Sequence, residues 1–249
     1  MMRDLSESIA SSMGCSEDAL PYLDYILQDL RTLGSNPDII LNTIKEFFAN
    51  PSELRLLDVG CGKGSCTVEA AKEGIDCVGI DAMEPFIDEA RSNASVSGVM
   101  GKCEFIQGDA GTVLKTLGSF DVVLLGSVGP ILGELEDSLN MIRGHVRDDG
   151  ILILDEGRVV DIQEIMDISE RCGFTLVREC LHDPSGFHSE YDEELTNIEK
   201  RCQELIRELP HKANVFLNYL ESQKEEYEFL KTSFINSTMV FKPTRKECV

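Results

Sequence analysis

Basic residues are scarce in this chain: 23 lysines and arginines stand against 45 aspartates and glutamates in 249 residues, a formal net charge of -22. A field of that sign repels polyanions, and nucleic-acid binding draws on a basic stripe to neutralise phosphates, so no nucleic-acid partner is expected and a small or cationic one fits better. Nine cysteines, at positions 15, 61, 66, 77, 103, 172, 180, 202 and 248, include no C-x-x-C pair and no accompanying histidine cluster at zinc spacing. Their number is odd and several fall inside apolar patterns, where a thiol acts as a small hydrophobe, so they read as reduced. Met1 to Gly14 lacks the charged-then-apolar pattern of a secretion signal, and no run of 18 apolar residues occurs. A cytoplasmic protein without membrane contact is expected, in which the sequons at Asn93 and Asn236 carry no meaning. Internal repeats and low-complexity linkers are also lacking.

What is present is ordinary globular material, 42% hydrophobic and 27% charged, long enough for one domain with a cap. Residues 1–16 are polar and Ser-rich and are expected to be disordered or loosely packed. From Glu17 to Leu33, Leu20, Leu23, Leu27 and Leu30 recur at three- and four-residue steps, with Ile26 and Leu33 widening the stripe, which predicts one amphipathic helix stopped by Gly34. Asn36 and Pro37 read as N-cap and first residue of a second helix through Ile40, Leu41, Ile44 and Phe48. Residues 1–50 are therefore expected as an N-terminal helical addition capping the site, and 51–249 as the main domain.

Short apolar runs at 55–59, 77–80, 103–106, 121–125 and 151–154 alternate with segments of helical composition, and a sixth run spans Phe174 to Leu181. That alternation predicts a doubly wound α/β fold with a mostly parallel, Rossmann-like sheet. Continuous runs such as Val122 to Leu125 and Ile151 to Leu154 suit strands covered on both faces. The chain then enters a helix over Ser189 to Leu209 and, after Pro210, another bearing Phe216, Tyr219, Leu220, Tyr227 and Leu230. Ser233 to Lys242 is strand-like and is expected to be the seventh, antiparallel strand, which makes 183–231 a helical insertion before it, on the side where a second substrate enters.

The stretch Leu56-Leu57-Asp58-Val59-Gly60-Cys61-Gly62-Lys63-Gly64-Ser65 reads as a buried strand turning sharply into a helix. Glycines at alternate positions allow unusual torsions and close approach of a ligand to the backbone, and the helix beyond offers free N–H groups. The dinucleotide fingerprint G-x-G-x-x-G is not met, because Ser65 stands where the third glycine belongs. The phosphate-loop ending G-K-[ST] is also missing, since Lys63 is followed by Gly64.

Asp58-Val59-Gly60-Cys61-Gly62-Lys63-Gly64 instead resembles motif I of the class I S-adenosylmethionine-dependent methyltransferases. The resemblance covers roughly residues 50–182 and implies S-adenosyl-L-methionine as cofactor, with S-adenosyl-L-homocysteine as product. Val78-Gly79-Ile80-Asp81 ends a second strand in an acid 17 residues after Gly64, placed to accept from both ribose hydroxyls. Met83, after Ala82, would lie on the adenine face. Gln107-Gly108-Asp109-Ala110 closes a third strand, and the matching acid of the family accepts from the adenine amino group. Asp58, Gly60, Cys61, Gly62, Gly64, Asp81, Ala82, Met83, Asp109, Ala110, Gly126 and Ser127 are the expected cofactor residues. More loosely, Pro21-Tyr22-Leu23, Gln28-Asp29-Leu30 and Glu199-Lys200-Arg201 look like a group of prokaryotic small-molecule-type methyltransferases.

Methyl transfer from a sulfonium is an in-line displacement on an activated carbon, so the protein mainly binds, orients and desolvates two partners. Gly126-Ser127-Val128-Gly129-Pro130 follows the fourth strand, where enzymes methylating planar amines carry Asn or Asp before Pro-Pro-Tyr, and no Pro-Cys pair exists for cytosine C5 chemistry. Metal-dependent catechol-type enzymes place an acid at that strand end and Asp-Asn on the next; here stand Gly126 and Asp155-Glu156, so no metal is expected. A small-molecule methyl acceptor is expected. The expected acceptor side comprises Tyr25, Gln28 and Tyr191 for binding and His182, Asp29 and Glu156 for catalysis, His182 as a general base if one is needed. An S-adenosylmethionine-binding sensor or scaffold is the alternative, and a protein or RNA methyltransferase a third.

Overall fold

The computed structural model describes residues 5–127 and 131–244. Val128, Gly129, Pro130 and Cys248 lie outside the described residues. Seven strands form one sheet: β1 (Arg55–Val59), β2 (Asp76–Asp81), β3 (Cys103–Gln107), β4 (Phe120–Gly126), β5 (Val146–Asp155), β6 (Phe174–Leu181) and β7 (Ser237–Pro243), in the order β3-β2-β1-β4-β5-β7-β6. The pairs β3/β2, β2/β1, β1/β4 and β4/β5 are parallel, and β7 runs antiparallel to β5. This is the seven-stranded, mostly parallel sheet that the alternation of apolar runs predicts. The strand order reverses between β1 and β4, so the glycine turn after β1 stands at the topological switch point, where sheets of this kind bind ligands.

Successive side chains of a strand point to opposite faces. Leu56, Val122, Leu124, Ile151 and Ile153 therefore join one buried apolar cluster, while Leu57, Val123, Leu125, Leu152 and Leu154 join the other. Both clusters are sealed from solvent, which is why these strands read as unbroken apolar runs rather than alternating ones. At roughly 1.5–3 kcal/mol for each large apolar side chain removed from water, the two layers supply most of the drive to fold.

The helices in chain order are α1 (Leu5–Ser12), α2 (Leu23–Ile26), α3 (Pro37–Phe47), α4 (Ser65–Lys72), α5 (Glu84–Val96), α6 (Ala110–Val113), α7 (Leu135–Ile142), α8 (Ile162–Arg171), α9 (His188–Glu208) and α10 (Ala213–Thr232). Asn36 caps α3 by accepting from the N–H groups of Asp38 and Ile39, with Pro37 opening the helix as its spacing implies. Gly173, at φ +78°, closes α8.

Three local expectations are corrected. Residues 5–12 are helical rather than loose, and the turn that ends α1 at Gly14 packs on α10, where a Cβ at Gly14 would stand 3.4 Å from Ser222 Oγ. The single helix expected over 17–33 is broken into a 3-10 segment, Glu17–Tyr22, and the one-turn α2. Pro21, with no N–H to donate, sits inside the first piece. The apolar period still reported most of the burial, since Leu23, Ile26, Leu27 and Leu30 are buried while Leu20 and Leu33 are half-buried. The last strand begins at Ser237 rather than Ser233, because Ser233 still caps α10 by donating to the Phe229 carbonyl.

The chain divides into two compact units. One, the helical unit, comprises 1–31 with 181–236; the other, the sheet unit, comprises 32–180 with 237–249. The division therefore falls near residue 31 rather than residue 50, and α3 belongs with the sheet.

Candidate functional site

The glycine turn leaves β1 through Gly60, whose N–H, like that of Cys61, donates to the Ile80 carbonyl (2.8 and 2.9 Å). Gly62 and Gly64 have φ of +51° and +76°. That left-handed region disfavours any side chain. Close approach of a ligand is not the only demand for glycine here. A Cβ on Gly62 would meet the Leu33 side chain at 3.3 Å, and one on Gly64 would lie 2.9 Å from Ala90 Cβ on α5. Gly64 then opens α4 as its N-cap with no side-chain cap, so the N-terminus of α4 carries only backbone donors there.

Asp81, at the end of β2, joins the turns. Its Oδ2 accepts from the Gly62 N–H at 2.9 Å and its Oδ1 from the Met83 N–H at 2.8 Å, while burial raises its carboxyl above the ordinary range. Each carboxylate oxygen has a second lone pair, so the group stays able to accept two hydroxyls. The end of β3 is tied to the same place: Gly108 N–H donates to the Asp81 carbonyl and Gln107 Nε2 to the Ala82 carbonyl. Asp109 caps α6 through Oδ1, which accepts from the Thr112 N–H and hydroxyl, and Ala110 is buried behind it. Residues 60–64, 81–83 and 109, far apart in sequence, thus meet at three neighbouring strand ends.

Asp58 and Cys61 serve this site from within. Asp58 is buried and accepts from Thr67 Oγ1 of α4 at 2.6 Å; burial, more than the neighbouring Asp81, pushes its carboxyl up to about 6. Cys61 is buried with its Sγ filling the space over Gly79, where a Cβ would meet it at 2.8 Å, and burial holds the thiol protonated. Only the Cys61 backbone can serve a ligand.

At the end of β4, Gly126 is glycine for a reason absent from the sequence pattern. A Cβ there would collide with Ser35 Oγ at 2.3 Å. Ser127 has φ +52°, donates through both N–H and hydroxyl to the Asp155 carbonyl, and packs against Gly34. The segment Leu33-Gly34-Ser35 therefore lies against Gly62, Ser127 and Gly126 in turn. Thr67 and Ser35 are site residues that sequence reasoning missed, and no motif marks either.

The expected acceptor residues are distributed between the units: Glu156 belongs to the sheet unit, and Tyr25, Gln28, Asp29, His182 and Tyr191 to the helical one. Within the helical unit Asp29 is not a free carboxylate. Arg201 of α9 donates to both of its oxygens (2.7 and 2.9 Å) and also to Glu204, which accepts from the Tyr25 hydroxyl at 2.7 Å. These hydrogen bonds hold the Glu204 carboxyl below its ordinary range. Gln28 Nε2 donates to the Tyr25 carbonyl at 2.9 Å. His182 lies edge-on to Phe187, which stacks on Tyr191, and Tyr191 meets Tyr227 at 5.6 Å between ring centroids. Tyr227 in turn donates to Glu194, a carboxyl that burial pushes up to about 7. The eight described cysteines are free thiols, six of them buried. Among the described residues no group of three or more His, Cys, Asp or Glu could hold a metal ion, and no helix is long and apolar enough to cross a membrane.

A glycine turn at the switch point of a seven-stranded sheet, joined to an acid at the end of the next strand, defines the class I methyltransferase fold. The family described as a methyltransferase domain matches residues 50–231, and the chain belongs to it. Among curated proteins it is similar to a ribosomal protein L11 methyltransferase of Campylobacter jejuni subsp. jejuni (28% identical over 135 residues, 49% of this chain and 46% of the relative). It is also similar to an uncharacterized RNA methyltransferase of Clostridium tetani (24% over 145 residues, 52% of this chain and 32% of the relative). The chain thus spans less than half of the length of these relatives. Among solved structures its fold matches a SAM-dependent methyltransferase of Thiobacillus denitrificans, crystallised with S-adenosyl-L-homocysteine, at a TM-score of 0.70 with 19% identity, covering 89% of this chain and 97% of that one.

Proposed function

We propose that the protein is an S-adenosylmethionine-dependent methyltransferase acting on a small-molecule acceptor without a metal ion. The observation that carries the cofactor reading is Asp81: a half-buried carboxylate held by two backbone N–H groups, one from the glycine turn and one from the start of α5, with acceptor capacity left over. Such a group fits a vicinal diol, and Asp109 and Met83 on the flanking turns fit a planar base. The cofactor supplies a methyl group on a positively charged sulfur. The chain's part is to hold the ribose at Asp81, the base beside Met83 and Asp109, and the amino-acid end along the glycine turn and Gly126, so that the sulfonium methyl faces the acceptor with water excluded.

Metal independence is supported by Gly126, where Ser35 fills the space that a metal-binding carboxylate at this strand end requires. For the acceptor, the net charge of -22 favours a small or cationic molecule over RNA. His182 is the proposed general base where the acceptor must lose a proton, with Glu156 as the proposed carboxylate partner of a cation and Tyr191 as an apolar wall. Asp29, paired with Arg201, supports α9 instead. Free thiols fit a cytoplasmic setting.

The names of the curated relatives favour protein or RNA as the competing acceptor class. Incubating the protein with methyl-labelled S-adenosylmethionine and with separated small-molecule, protein and RNA fractions of a cell extract decides between them. Label is expected in the small-molecule fraction. Label only in RNA or protein would overturn the acceptor class, and cofactor binding with no label in any fraction would favour a sensor or scaffold.

A further inference from the structure

Lys63 stands inside the glycine turn, between two glycines in the left-handed region, yet its side chain is only 1% exposed. Burying an ammonium is costly, and an apolar side chain of similar length would fill the same volume without that cost. The surroundings show what the charge does there. Lys63 Nζ lies 3.1 Å from Glu89 Oε2, and the Lys63 carbonyl accepts from Asn93 Nδ2 at 3.1 Å. Ala90, between those two partners, is the residue against which Gly64 packs. Residues 89, 90 and 93 share one face of α5, so a single helix face grips the turn by an ion pair, a side-chain-to-backbone hydrogen bond and a close packing contact.

The same helix begins just beyond Asp81, at Glu84. Met83, its N-cap, donates to one Asp81 oxygen, and Gly62, the neighbour of Lys63, donates to the other. The carboxylate is thus suspended between the glycine turn and the start of α5, the two elements that Lys63 and its partners join. We infer that Lys63 is a positioning residue: through Glu89 and Asn93 it locks the glycine turn to α5 and so aims the Asp81 carboxylate at the ribose diol of the cofactor. The inference rests on the cofactor reading above.

Calorimetric titration of the purified protein with S-adenosyl-L-homocysteine and with its 2′-deoxy analogue tests it. The wild type is expected to prefer the full ribose by about tenfold or more, the effect of one hydrogen bond to a charged group. Lys63→Met is expected to reduce that preference to about threefold or less while leaving the melting temperature unchanged or raised, as replacement of buried ion pairs by apolar residues often does. Where Lys63→Met fails to fold, Glu89→Gln, whose side chain is 41% exposed, reads the same preference with less disturbance. A preference unchanged in the foldable variant would overturn the inference, even if stability or overall affinity fell, because a strut that only holds the fold does not discriminate between two riboses. A wild type that binds neither compound would instead remove the cofactor reading. A wild type that binds both equally would remove the ribose role of Asp81, and with it this inference.

Discussion

In the sheet unit Asp81 accepts from backbone N–H groups among the described residues, whereas in the helical unit Asp29 is held by the fork of Arg201. Both are carboxylates at the ends of short elements, and from sequence both looked like candidates to meet a substrate. The difference lies in what remains after the pairing. Backbone donors hold a carboxylate in place without a countercharge, so Asp81 keeps spare lone pairs for the proposed ligand. A bidentate guanidinium takes up both geometry and charge. The sheet unit turns its polar groups toward three strand ends. The helical unit pairs its own, as Tyr25, Glu204, Arg201 and Asp29 do, and as Lys231 does with Asp192.

The largest expected effect sharpens this contrast through pH. Burial raises Asp58 from the ordinary aspartate value of 3.8 to about 6 in the sheet unit, and raises Glu194 to about 7 in the helical unit. A carboxyl whose folded value is raised binds its proton more tightly when folded. Its contribution is therefore fully present below the unfolded value and is lost as pH climbs through the folded one. Stability should fall between about pH 4 and pH 6 on account of Asp58, by on the order of 3 kcal/mol, and go on falling toward pH 7 on account of Glu194. Denaturant unfolding across that range is expected to show Asp58→Asn flattening the lower part and Glu194→Gln the upper part. If both variants flatten the same window, the two units do not titrate separately.

Asp81→Ala comes next. It removes an ionised acceptor from the proposed ribose site, at a cost of roughly 1.5–3 kcal/mol for each hydrogen bond lost. S-adenosyl-L-homocysteine binding is expected to weaken at least tenfold in calorimetry with the fold intact by circular dichroism. Unaltered affinity would end the ribose assignment.

The smallest effect on binding is expected from Arg201→Met, which removes the guanidinium that Asp29 and Glu204 share. Melting temperature should drop, since both carboxylates lose that cation, while S-adenosyl-L-homocysteine affinity stays within about threefold, under ~0.7 kcal/mol. A drop in affinity as large as that of Asp81→Ala would break the comparison and bring the Arg201 network into cofactor binding.

The chain's own residues determined the sheet and marked the strand-end residues of the proposed cofactor site. Periodicity and unbroken apolar runs report which residues lose water, and for strands covered on both faces that is enough to count them and find their carboxyl ends. The alternate glycines of 60–64 and the acids at 81 and 109 were legible because torsional freedom and charge at a strand end are local properties. The apolar spacing over 17–33 also foretold most of the burial, although not the break into a 3-10 segment that contains Pro21. Only the tertiary structure decided that Gly126 makes room for Ser35, that Gly64 makes room for α5, that Asp58 answers to Thr67, and that Asp29 belongs to Arg201, 172 residues away. Each of those is a contact between residues distant in sequence. A side chain's type states which bonds it can make, and only the fold determines which partner reaches it first.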